Sequence, residues 1–386
     1  MNMDNTHFEE ILQFIRTLYP NENPVPLHAP RFLGREKEYL TQCIETTYVS
    51  YVGQFVTDFE EHIKKLTDAH YAVAIANGTA ALHMTLLAAG VQPGNEVITQ
   101  ALTFVATAAG IKHALAEPVF IDVEAKTLGM SPEALKAFLV ENASYKNGAT
   151  INKKTGKRIA AVVPMHTYGH PVRLEEISAI CDEYGLMLIE DAAESLGSTY
   201  KGKHTGTWGR AGILSFNGNK PVTTGGGGMI ISNDEALAEK ARHLSTTAKR
   251  KHPWQFYHDE VGYNLRLPNI NAAVGCAQME YFDSTIKNKR ETAEMYKAFF
   301  DNKNIPFFTE PQDCHSNYWL NVMFLKDREE RDSFLEYSNA NGVQTRPVWQ
   351  LIPTLPPYAS RLCGPIPIAK DLEDRIVNIP SSVRIF

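Results

Sequence analysis

Residues 71–89 read YAVAIANGTAALHMTLLAA, and this stretch decides the fold. Its first six residues form a short apolar run, which is the pattern of a strand buried on both faces. Asn77 and Gly78 then give a turn signal, and the small and aliphatic residues from Thr79 to Ala89 predict a helix. A buried strand that turns directly into a helix indicates an α/β protein.

The same alternation continues along the chain. Six further apolar runs are predicted strands, and they lie at residues 97–99, 118–123, 159–164, 186–190, 213–216 and 229–232. Helical patterns at residues 104–114 and 174–184 separate the earlier runs. Strands of this kind predict a largely parallel sheet, in which ligands bind beyond the carboxyl ends of the strands.

The length of 386 residues predicts two or three structural units. Residues 1–50 are expected to form a helical segment and a proline-interrupted connector, because apolar residues recur at the helical period at Phe8, Ile11, Leu12, Ile15 and Leu18. Residues 51–270 are expected to form the large α/β domain. Residues 271–386 are expected to form a smaller α+β domain, with a long helix at 271–301, a strand at 319–325 and a helix at 329–341.

Composition narrows the class of protein. The 38 basic and 44 acidic residues give a net charge of −6, without the basic excess expected for nucleic-acid binding. The apolar runs are far shorter than the roughly 20 residues that span a bilayer, and the first residues do not resemble a signal peptide, so we expect a cytoplasmic protein. Five scattered cysteines without a C-x-x-C motif predict neither a disulfide framework nor a zinc site.

Two histidines were weighed as metal ligands. His166 and His170 have the i, i+4 spacing of a helical metal pair. Pro164 and Pro171 disfavour a helix there, so no metal site is predicted.

Three chemical features fall at the ends of predicted strands. Asn77, Gly78 and Thr79 open a helix and could bind a phosphate, although they could equally serve as a helix cap. Asp191 ends a strand in the segment IEDAAES, where a carboxylate could pair with a protonated heteroaromatic nitrogen or cap a helix. Lys220 follows a strand and precedes four consecutive glycines; a lone lysine is usually a solvated charge, but the order phosphate turn, carboxylate, lysine favours a catalytic site.

With these features the sequence resembles the DegT/DnrJ/EryC1/StrS sugar aminotransferases, pyridoxal-phosphate enzymes of the aspartate-aminotransferase fold type I. The resemblance runs from about residue 26 to residue 382 and includes residues 49–56 (VSYVGQFV), 262–267 (GYNLRL) and 345–349 (TRPVW). The NGNK motif at residues 217–220, the N-terminal helix and residues 345–349 are closest to the LegC-like branch, which makes 4-amino sugar nucleotides. The implied fold has a large domain with a mostly parallel, mixed seven-stranded sheet and a smaller C-terminal α+β domain.

The resemblance implies a role for each cofactor residue. Lys220 resembles the lysine that forms a Schiff base with pyridoxal phosphate and then moves the proton, and Asp191 resembles the partner of the pyridinium nitrogen. Phe104 matches the aromatic residue that stacks on the pyridine ring. The phosphate cradle is matched by Gly78, Thr79 and Ser215.

Other residues are implied less directly. Asn264 resembles a residue that reaches the cofactor phosphate of the neighbouring subunit, which implies a homodimer with shared active sites. His166, Arg346 and Trp349 are candidates for substrate contacts. Glu194 stands where many family members carry Gln or His beside the phenolic oxygen of the cofactor, so we expect it either to be protonated or to shift the proton between the phenol and the Schiff base.

The implied activity is transfer of an amino group from glutamate, through the pyridoxamine phosphate form, to the C4 keto group of a nucleotide-linked 4-keto-6-deoxy sugar. The expected substrate is UDP-linked and carries a 2-acetamido group, as in bacillosamine or legionaminic acid biosynthesis. A GDP-4-keto-6-deoxymannose 4-aminotransferase of the perosamine type, or a 3-keto sugar aminotransferase, would share every cofactor residue. Related sugar 3-dehydratases carry histidine in place of the lysine, and a non-catalytic regulator is disfavoured because Lys220, Asp191 and Thr79 are retained together.

Overall fold

The computed structural model describes residues 6–385. Its helices are α1 (Thr6–Leu18), α2 (Glu36–Glu45), α3 (Gln54–Thr67), α4 (Gly78–Ala88), α5 (Val105–His113), α6 (Pro132–Asn142), α7 (Leu174–Glu183), α8 (Glu235–Ser245), α9 (Asn269–Met279), α10 (Phe282–Lys303), α11 (Arg328–Ala340) and α12 (Pro367–Arg375). Short 3-10 turns lie at Thr167–Gly169 and Ile352–Thr354.

The strands are β1 (Tyr71–Ile75), β2 (Glu96–Gln100), β3 (Glu117–Ile121), β4 (Ala143–Lys146), β5 (Ala149–Asn152), β6 (Arg158–Val163), β7 (Met187–Asp191), β8 (Thr199–Tyr200), β9 (Lys203–His204), β10 (Ala211–Ser215), β11 (Gly228–Ser232), β12 (Cys314–His315), β13 (Asn321–Phe324), β14 (Arg346–Pro347) and β15 (Ile376–Ile379). All seven strands predicted for the large sheet form, each within a few residues of its predicted bounds.

The main sheet has the order β1-β11-β10-β7-β6-β2-β3, and the β4–β5 hairpin extends from β6 to make nine strands. The pairs β10–β7, β7–β6, β6–β2 and β2–β3 are parallel, whereas β11 is antiparallel to both of its neighbours. The predicted mixed, mostly parallel α/β sheet is therefore confirmed. Because β1, β7 and β10 run in one direction, their carboxyl ends meet at one edge of the sheet.

Helices cover both faces of this sheet. Successive residues of β1 alternate between two apolar clusters: Val73 and Ile75 pack in the cluster of α4, and Ala72 and Ala74 pack in that of α3. This alternation follows from the two-residue period of a strand. It explains why β1 is a continuous apolar run in the sequence.

A second, three-stranded sheet of order β13-β15-β14 lies in the C-terminal part of the chain. Helix α1 packs there, because its buried face shares an apolar cluster with Tyr296 and Phe300 of α10, Phe334 of α11 and Val377 of β15. The first helix of the chain therefore belongs to the same cluster as the last strand. The division into domains at residues 1–50, 51–270 and 271–386 stays a prediction.

One sequence prediction about the C-terminal part is wrong. The single long helix predicted at residues 271–301 is two helices, α9 and α10, and the chain leaves the helical conformation at Tyr281 with φ −122°. The Tyr281 hydroxyl donates to Glu36 Oε1 at 2.6 Å and contacts the Arg31 carbonyl at 3.0 Å. These contacts, to Arg31 before α2 and to Glu36 at its start, fix Tyr281 at the break, where the sequence has no glycine or proline.

Within residues 6–385, none of the helices combines the length and apolar character that crossing a membrane requires.

Candidate active site

The three predicted strand-end features meet in one cavity of about 320 Å³ at the carboxyl edge of the main sheet. The turn after β1 supplies Asn77, Gly78 and Thr79, and the loops after β7 and β10 supply the carboxylates and the lysine. The sequence-predicted residues that line the cavity are Gly78, Thr79, Phe104, Asp191, Glu194, Ser215, Lys220 and Trp349. Strand direction alone brings together side chains that lie more than 100 positions apart in the chain.

The N-terminus of α4 forms one end of the cavity. Asn77 caps the helix, since its Oδ1 accepts a hydrogen bond from the Ala80 N–H at 2.8 Å. The N–H groups of Gly78 and Thr79 precede the first intrahelical bonds, so they can donate to a ligand. Helix N-termini of this kind bind phosphate groups, and the Ser215 side chain also lines the cavity.

Two glycines allow the backbone to close around this end. A Cβ atom on Gly78 would lie 3.1 Å from the Cβ of Ser215, closer than nearly all real contacts. A Cβ atom on Gly228 would lie 2.5 Å from the Asn77 carbonyl oxygen. The last of the four consecutive glycines is therefore needed for the close approach of β11 to the α4 turn.

Asp191 lies at the end of β7 and is only 4% exposed. Its Oδ2 accepts a hydrogen bond from Thr107 Oγ1 at 2.7 Å, and its Oδ1 accepts from the Ala193 N–H at 3.2 Å. Burial raises the pKa of this carboxyl, an effect opposed by the hydrogen bond from Thr107, the Ala193 N–H and the nearby charge of Lys220. A buried carboxylate that lines a cavity is well placed to bind a cationic nitrogen of a ligand.

Lys220 lies between a carboxylate and an indole ring. Its Nζ is 3.4 Å from Glu194 Oε1 and 3.5 Å from the ring centroid of Trp319. Burial lowers the pKa of the lysine, although the charges of Glu194 and Asp191 oppose the effect. Burial therefore gives the lysine a larger neutral fraction and makes it a better nucleophile and base than an exposed one.

Glu194 is held in place by the backbone. Its Oε2 accepts a hydrogen bond from the Tyr168 N–H at 2.8 Å, and its side chain is 2% exposed. Burial raises the pKa of Glu194 to about 7, and the charge of Lys220 opposes this rise. The Glu194 carboxyl can therefore gain or lose a proton near neutral pH.

The structure places the other predicted residues in two groups. Phe104 is 47% exposed, and its ring centroid lies 6.0 Å from that of Trp349, so these two aromatic residues line the cavity together. The His166 side chain does not line the cavity, because it is fully buried and both ring nitrogens contact protein atoms, Glu190 Oε2 at 3.1 Å and the Val172 N–H at 3.3 Å.

Two further predicted residues lie outside the lining of the cavity. Arg346 is exposed and donates to Asn339 Oδ1 at 2.8 Å and to the Thr345 carbonyl at 2.7 Å. Asn264 is also exposed. The roles proposed for His166, Arg346 and Asn264 stay predictions.

Two residues of the site were not singled out from the sequence. Thr107 holds Asp191, and its Oγ1 is 2.8 Å from that of Thr103, four positions earlier on the same segment. Trp319 covers Lys220, and its sequence pattern predicts only a strand at 319–325. The sequence signals for them are weak: a pair of threonines after β2, and a tryptophan two residues before β13.

The donor set of the cavity fits pyridoxal phosphate. The α4 N-terminus and Ser215 suit its phosphate, the buried Asp191 suits its ring nitrogen, and the buried amine of Lys220 suits its aldehyde. Fold and site together define a pyridoxal-phosphate-dependent transaminase of fold type I.

The chain belongs to the DegT/DnrJ/EryC1/StrS aminotransferase family, whose sequence profile matches residues 32–385. It is 36% identical to the GDP-perosamine synthase of Escherichia coli O157:H7, over 92% of this chain and 93% of that protein. It is 40% identical to the putative pyridoxal phosphate-dependent aminotransferase EpsN of Bacillus subtilis (strain 168), over 86% of this chain and 82% of that protein. A DegT DnrJ EryC1 StrS aminotransferase from Brucella abortus superposes with a TM-score of 0.81 at 25% identity, covering 90% of each chain. The predicted family and enzyme class are confirmed.

Proposed function

We propose that this sugar aminotransferase binds pyridoxal phosphate and moves an amino group from glutamate to the C4 keto group of a nucleotide-linked 4-keto-6-deoxy sugar. The first candidate is UDP-2-acetamido-2,6-dideoxy-4-keto-hexose, a precursor of bacillosamine-type and legionaminic-acid-type glycans. The observation that carries the proposal is the meeting of Lys220, Asp191 and the α4 N-terminus in one cavity.

Each residue of the cavity has a task in this reaction. Pyridoxal phosphate, when bound, supplies a ring that withdraws electrons from the carbon that carries the amino group. Asp191 would keep the ring nitrogen protonated, because its negative charge favours the cation. The N–H groups of Gly78 and Thr79, together with Ser215, would hold the phosphate and so fix the ring against Phe104.

Lys220 would move the proton. Its neutral amine would take the proton from the carbon that carries the amino group and give it up again within the cavity, which requires a pKa lower than that of an exposed lysine. Burial shifts the pKa of Lys220 in that direction. Glu194, with Oε1 at 3.4 Å from Nζ and a pKa of about 7, can hold a proton that the lysine releases.

Part of the cavity wall is aromatic. Phe104, Trp319 and Trp349 line the cavity, and aromatic faces pack well against the apolar face of a hexose and against an acetamido methyl group. The UDP-acetamido sugar is preferred because the NGNK motif and residues 345–349 resemble the branch that makes 4-amino sugar nucleotides of this kind.

A second candidate follows from the relatives. The similarity to GDP-perosamine synthase over almost the whole of both chains favours GDP-4-keto-6-deoxymannose as the alternative substrate. The two candidates differ in the nucleotide and in the 2-acetamido group, whereas the keto carbon and the cofactor chemistry are the same.

The proposal is tested by mixing the purified chain with pyridoxal phosphate, glutamate and a panel of UDP- and GDP-linked 4-keto and 3-keto sugars. Mass spectrometry then follows the change from keto group to amine. We expect amination of the UDP-acetamido 4-keto sugar, with conversion of glutamate to 2-oxoglutarate. Lys220→Met, which keeps the length of the side chain but not the amine, should lower the rate by roughly 10²–10⁴-fold.

The other outcomes separate the alternatives. Amination of only the GDP sugar would assign the perosamine-type reaction, and amination of only a 3-keto sugar would move the reaction to C3. A chain that binds the cofactor but aminates no sugar in the panel would contradict the proposed substrate class.

A further inference from the structure

We propose that Trp319 is a positioning residue for the Lys220 amine: its indole ring holds the amine beside Glu194, and the buried Lys289 holds the Trp319 backbone in place. This inference rests on the proposed function, because it concerns the amine that would move the proton. It adds to the cavity a residue from the opposite side of the lysine, contributed by the C-terminal part of the chain.

The Trp319 ring contacts the Lys220 amine directly. Trp319 is 4% exposed, and the centroid of its ring lies 3.5 Å from Lys220 Nζ. The indole Nε1–H donates to the Asn219 carbonyl at 2.6 Å, so the ring is also tied to the residue that precedes the lysine. With Glu194 Oε1 on the other side at 3.4 Å, the amine is confined between a carboxylate and an aromatic face.

The backbone of Trp319 is hydrogen-bonded at both its N–H and its carbonyl group. Its N–H donates to Asn317 Oδ1 at 2.8 Å, and its carbonyl accepts from Lys289 Nζ at 3.1 Å. The Asn317 side chain in turn donates to the Glu194 carbonyl at 2.9 Å. The two groups that confine the lysine are therefore linked to each other through Asn317.

Lys289 lies on α10 and is only 1% exposed. Its Nζ contacts His28 Nε2 at 2.9 Å, the Trp319 carbonyl at 3.1 Å and the Ser381 carbonyl at 2.6 Å. An ammonium group has three donors, and each has a partner here. Burying a lysine destabilises a fold unless its amine makes its hydrogen bonds. The three contacts of Lys289 therefore define one position for its amine, next to the Trp319 carbonyl.

The physical consequence concerns the charge and the direction of the amine. An aromatic face stabilises an ammonium group, most strongly where water is excluded. A ring centroid 3.5 Å from Nζ also limits the positions that the amine can take. The ring would thus keep the Lys220 amine pointing into the cavity when the lysine is not bonded to the cofactor. The ionisable groups that face Lys220 or its neighbours are Glu194, Asp191, His28 and Lys289.

The test compares Trp319→Phe with Trp319→Leu in the full-length chain, both without cofactor and loaded with pyridoxamine phosphate. Both variants lose the indole N–H and remain apolar, so they differ chiefly in the aromatic face. Competitive acetylation with trace acetic anhydride over a pH series, followed by mass spectrometry of the Lys220 peptide, measures the pKa of this one lysine. We expect a pKa lower by about half a unit or more in Trp319→Leu, because the cation loses its aromatic partner.

The chain offers a matched control. Lys203 Nζ lies 5.0 Å from the ring of Trp208 on the surface, and its titration should be the same in both Trp319 variants. An equal pKa of Lys220 in the two variants would overturn the inference. A higher pKa in Trp319→Leu would overturn it too, because that result means that the ring only excludes water.

The contact between Lys289 and the Trp319 carbonyl is tested by a separate measurement. The chain has four tryptophans, so 5-fluorotryptophan labelling gives four ¹⁹F resonances, and Trp319→Phe assigns the signal of Trp319. In Lys289→Met this signal should shift or broaden while those of Trp208 and Trp254 stay unchanged. An unchanged Trp319 signal would contradict a role for this contact, and if this variant does not fold, the comparison of the Trp319 variants still decides the main point.

The failure of this inference is distinct from failure of the proposed function. Borohydride reduction of the wild-type chain with pyridoxal phosphate tests whether Lys220 binds the cofactor, and the sugar panel tests the reaction. The acetylation titration needs neither the cofactor nor a sugar.

Discussion

At the scale of single residues, the charge of Glu194 depends on burial and on the neighbouring lysine. Burial favours the neutral form of both Glu194 and Lys220, raising the pKa of the acid and lowering that of the amine, while their mutual attraction favours the charged forms. The separation of 3.4 Å couples the two groups, so one proton is distributed between them. A glutamine at this position would remove the acid and leave the lysine without its charged partner.

This coupling gives a prediction for Glu194→Gln. With a pKa of about 7, the wild-type carboxyl gains a proton as the pH falls through 7 and loses its negative charge beside the cofactor. The absorbance of bound pyridoxal phosphate in the wild type should therefore change in a pH-dependent step, and the variant should lack this step. Spectra recorded between pH 5 and 9 measure it.

The control for this titration is a carboxylate remote from the cavity. Glu61 of α3 pairs with Lys64 at 2.8 Å and does not line the cavity, so Glu61→Gln removes the acid of another Glu–Lys pair and should keep the wild-type midpoint. An identical titration in Glu194→Gln and the wild type would refute the role given to Glu194.

At the level of elements, α4 combines stability and binding in one residue. Asn77 caps the helix, and the same turn presents the free N–H groups of Gly78 and Thr79 to the cavity. Asn77→Ala should cost about 1 kcal/mol of the free energy of unfolding, because a buried N–H loses its acceptor. It should also weaken binding of pyridoxal phosphate, since the turn that forms the phosphate cradle loosens. Urea unfolding and a cofactor titration measure the two effects.

The control is another N-cap of the same kind. Ser131 caps α6 by accepting from the Ala134 N–H at 3.1 Å, and it does not line the cavity. Ser131→Ala should lower stability by a similar amount and leave the cofactor affinity unchanged. If the two variants bind pyridoxal phosphate equally well, the helix N-terminus does not carry the phosphate site.

The elements that could be predicted from sequence are those whose signals are local. Strand β1 and helix α4 follow from an apolar run, an Asn-Gly turn and a helical stretch, and no distant contact is needed. The β4–β5 hairpin was not predicted, although Asn147 and Gly148 both adopt positive φ and are a strong hairpin signal. The break between α9 and α10 was not predictable in this way, because Glu36, which lies 245 positions before Tyr281, helps to hold it.

The same distinction applies to the site. Lys220, Asp191 and the Asn77–Thr79 turn were found because each follows a strand, and strand order brings them together. Thr107 and Trp319 were missed because their roles depend on partners 84 and 100 positions away, Asp191 and Asn219. Only the folded chain shows that a tryptophan two residues before β13 covers the lysine after β10.

At the scale of the whole molecule, several apolar side chains are exposed in the part of the chain that precedes β1. Phe32, Leu33, Tyr48, Val49 and Val52 are each between 46% and 64% exposed, and they lie just before α2 and between α2 and α3. Neighbouring exposed apolar residues mark surfaces that bind other proteins. A second copy of the chain would cover such a surface and could bring Asn264 to the cofactor of its partner, as the family resemblance implies.

Mixed dimers test this arrangement directly. Lys220→Met chains lack the lysine, and Asn264→Asp chains would place a negative charge beside the partner's cofactor phosphate, so each variant alone should be strongly impaired. If a site uses Lys220 of one subunit and Asn264 of the other, a 1:1 mixture refolded or co-expressed with two tags should regain about a quarter of wild-type activity, because half of the dimers are mixed and each has one intact site. If Asn264 serves its own chain, every site in the mixture carries a defect and no activity returns. A monomer by light scattering would contradict the shared site altogether.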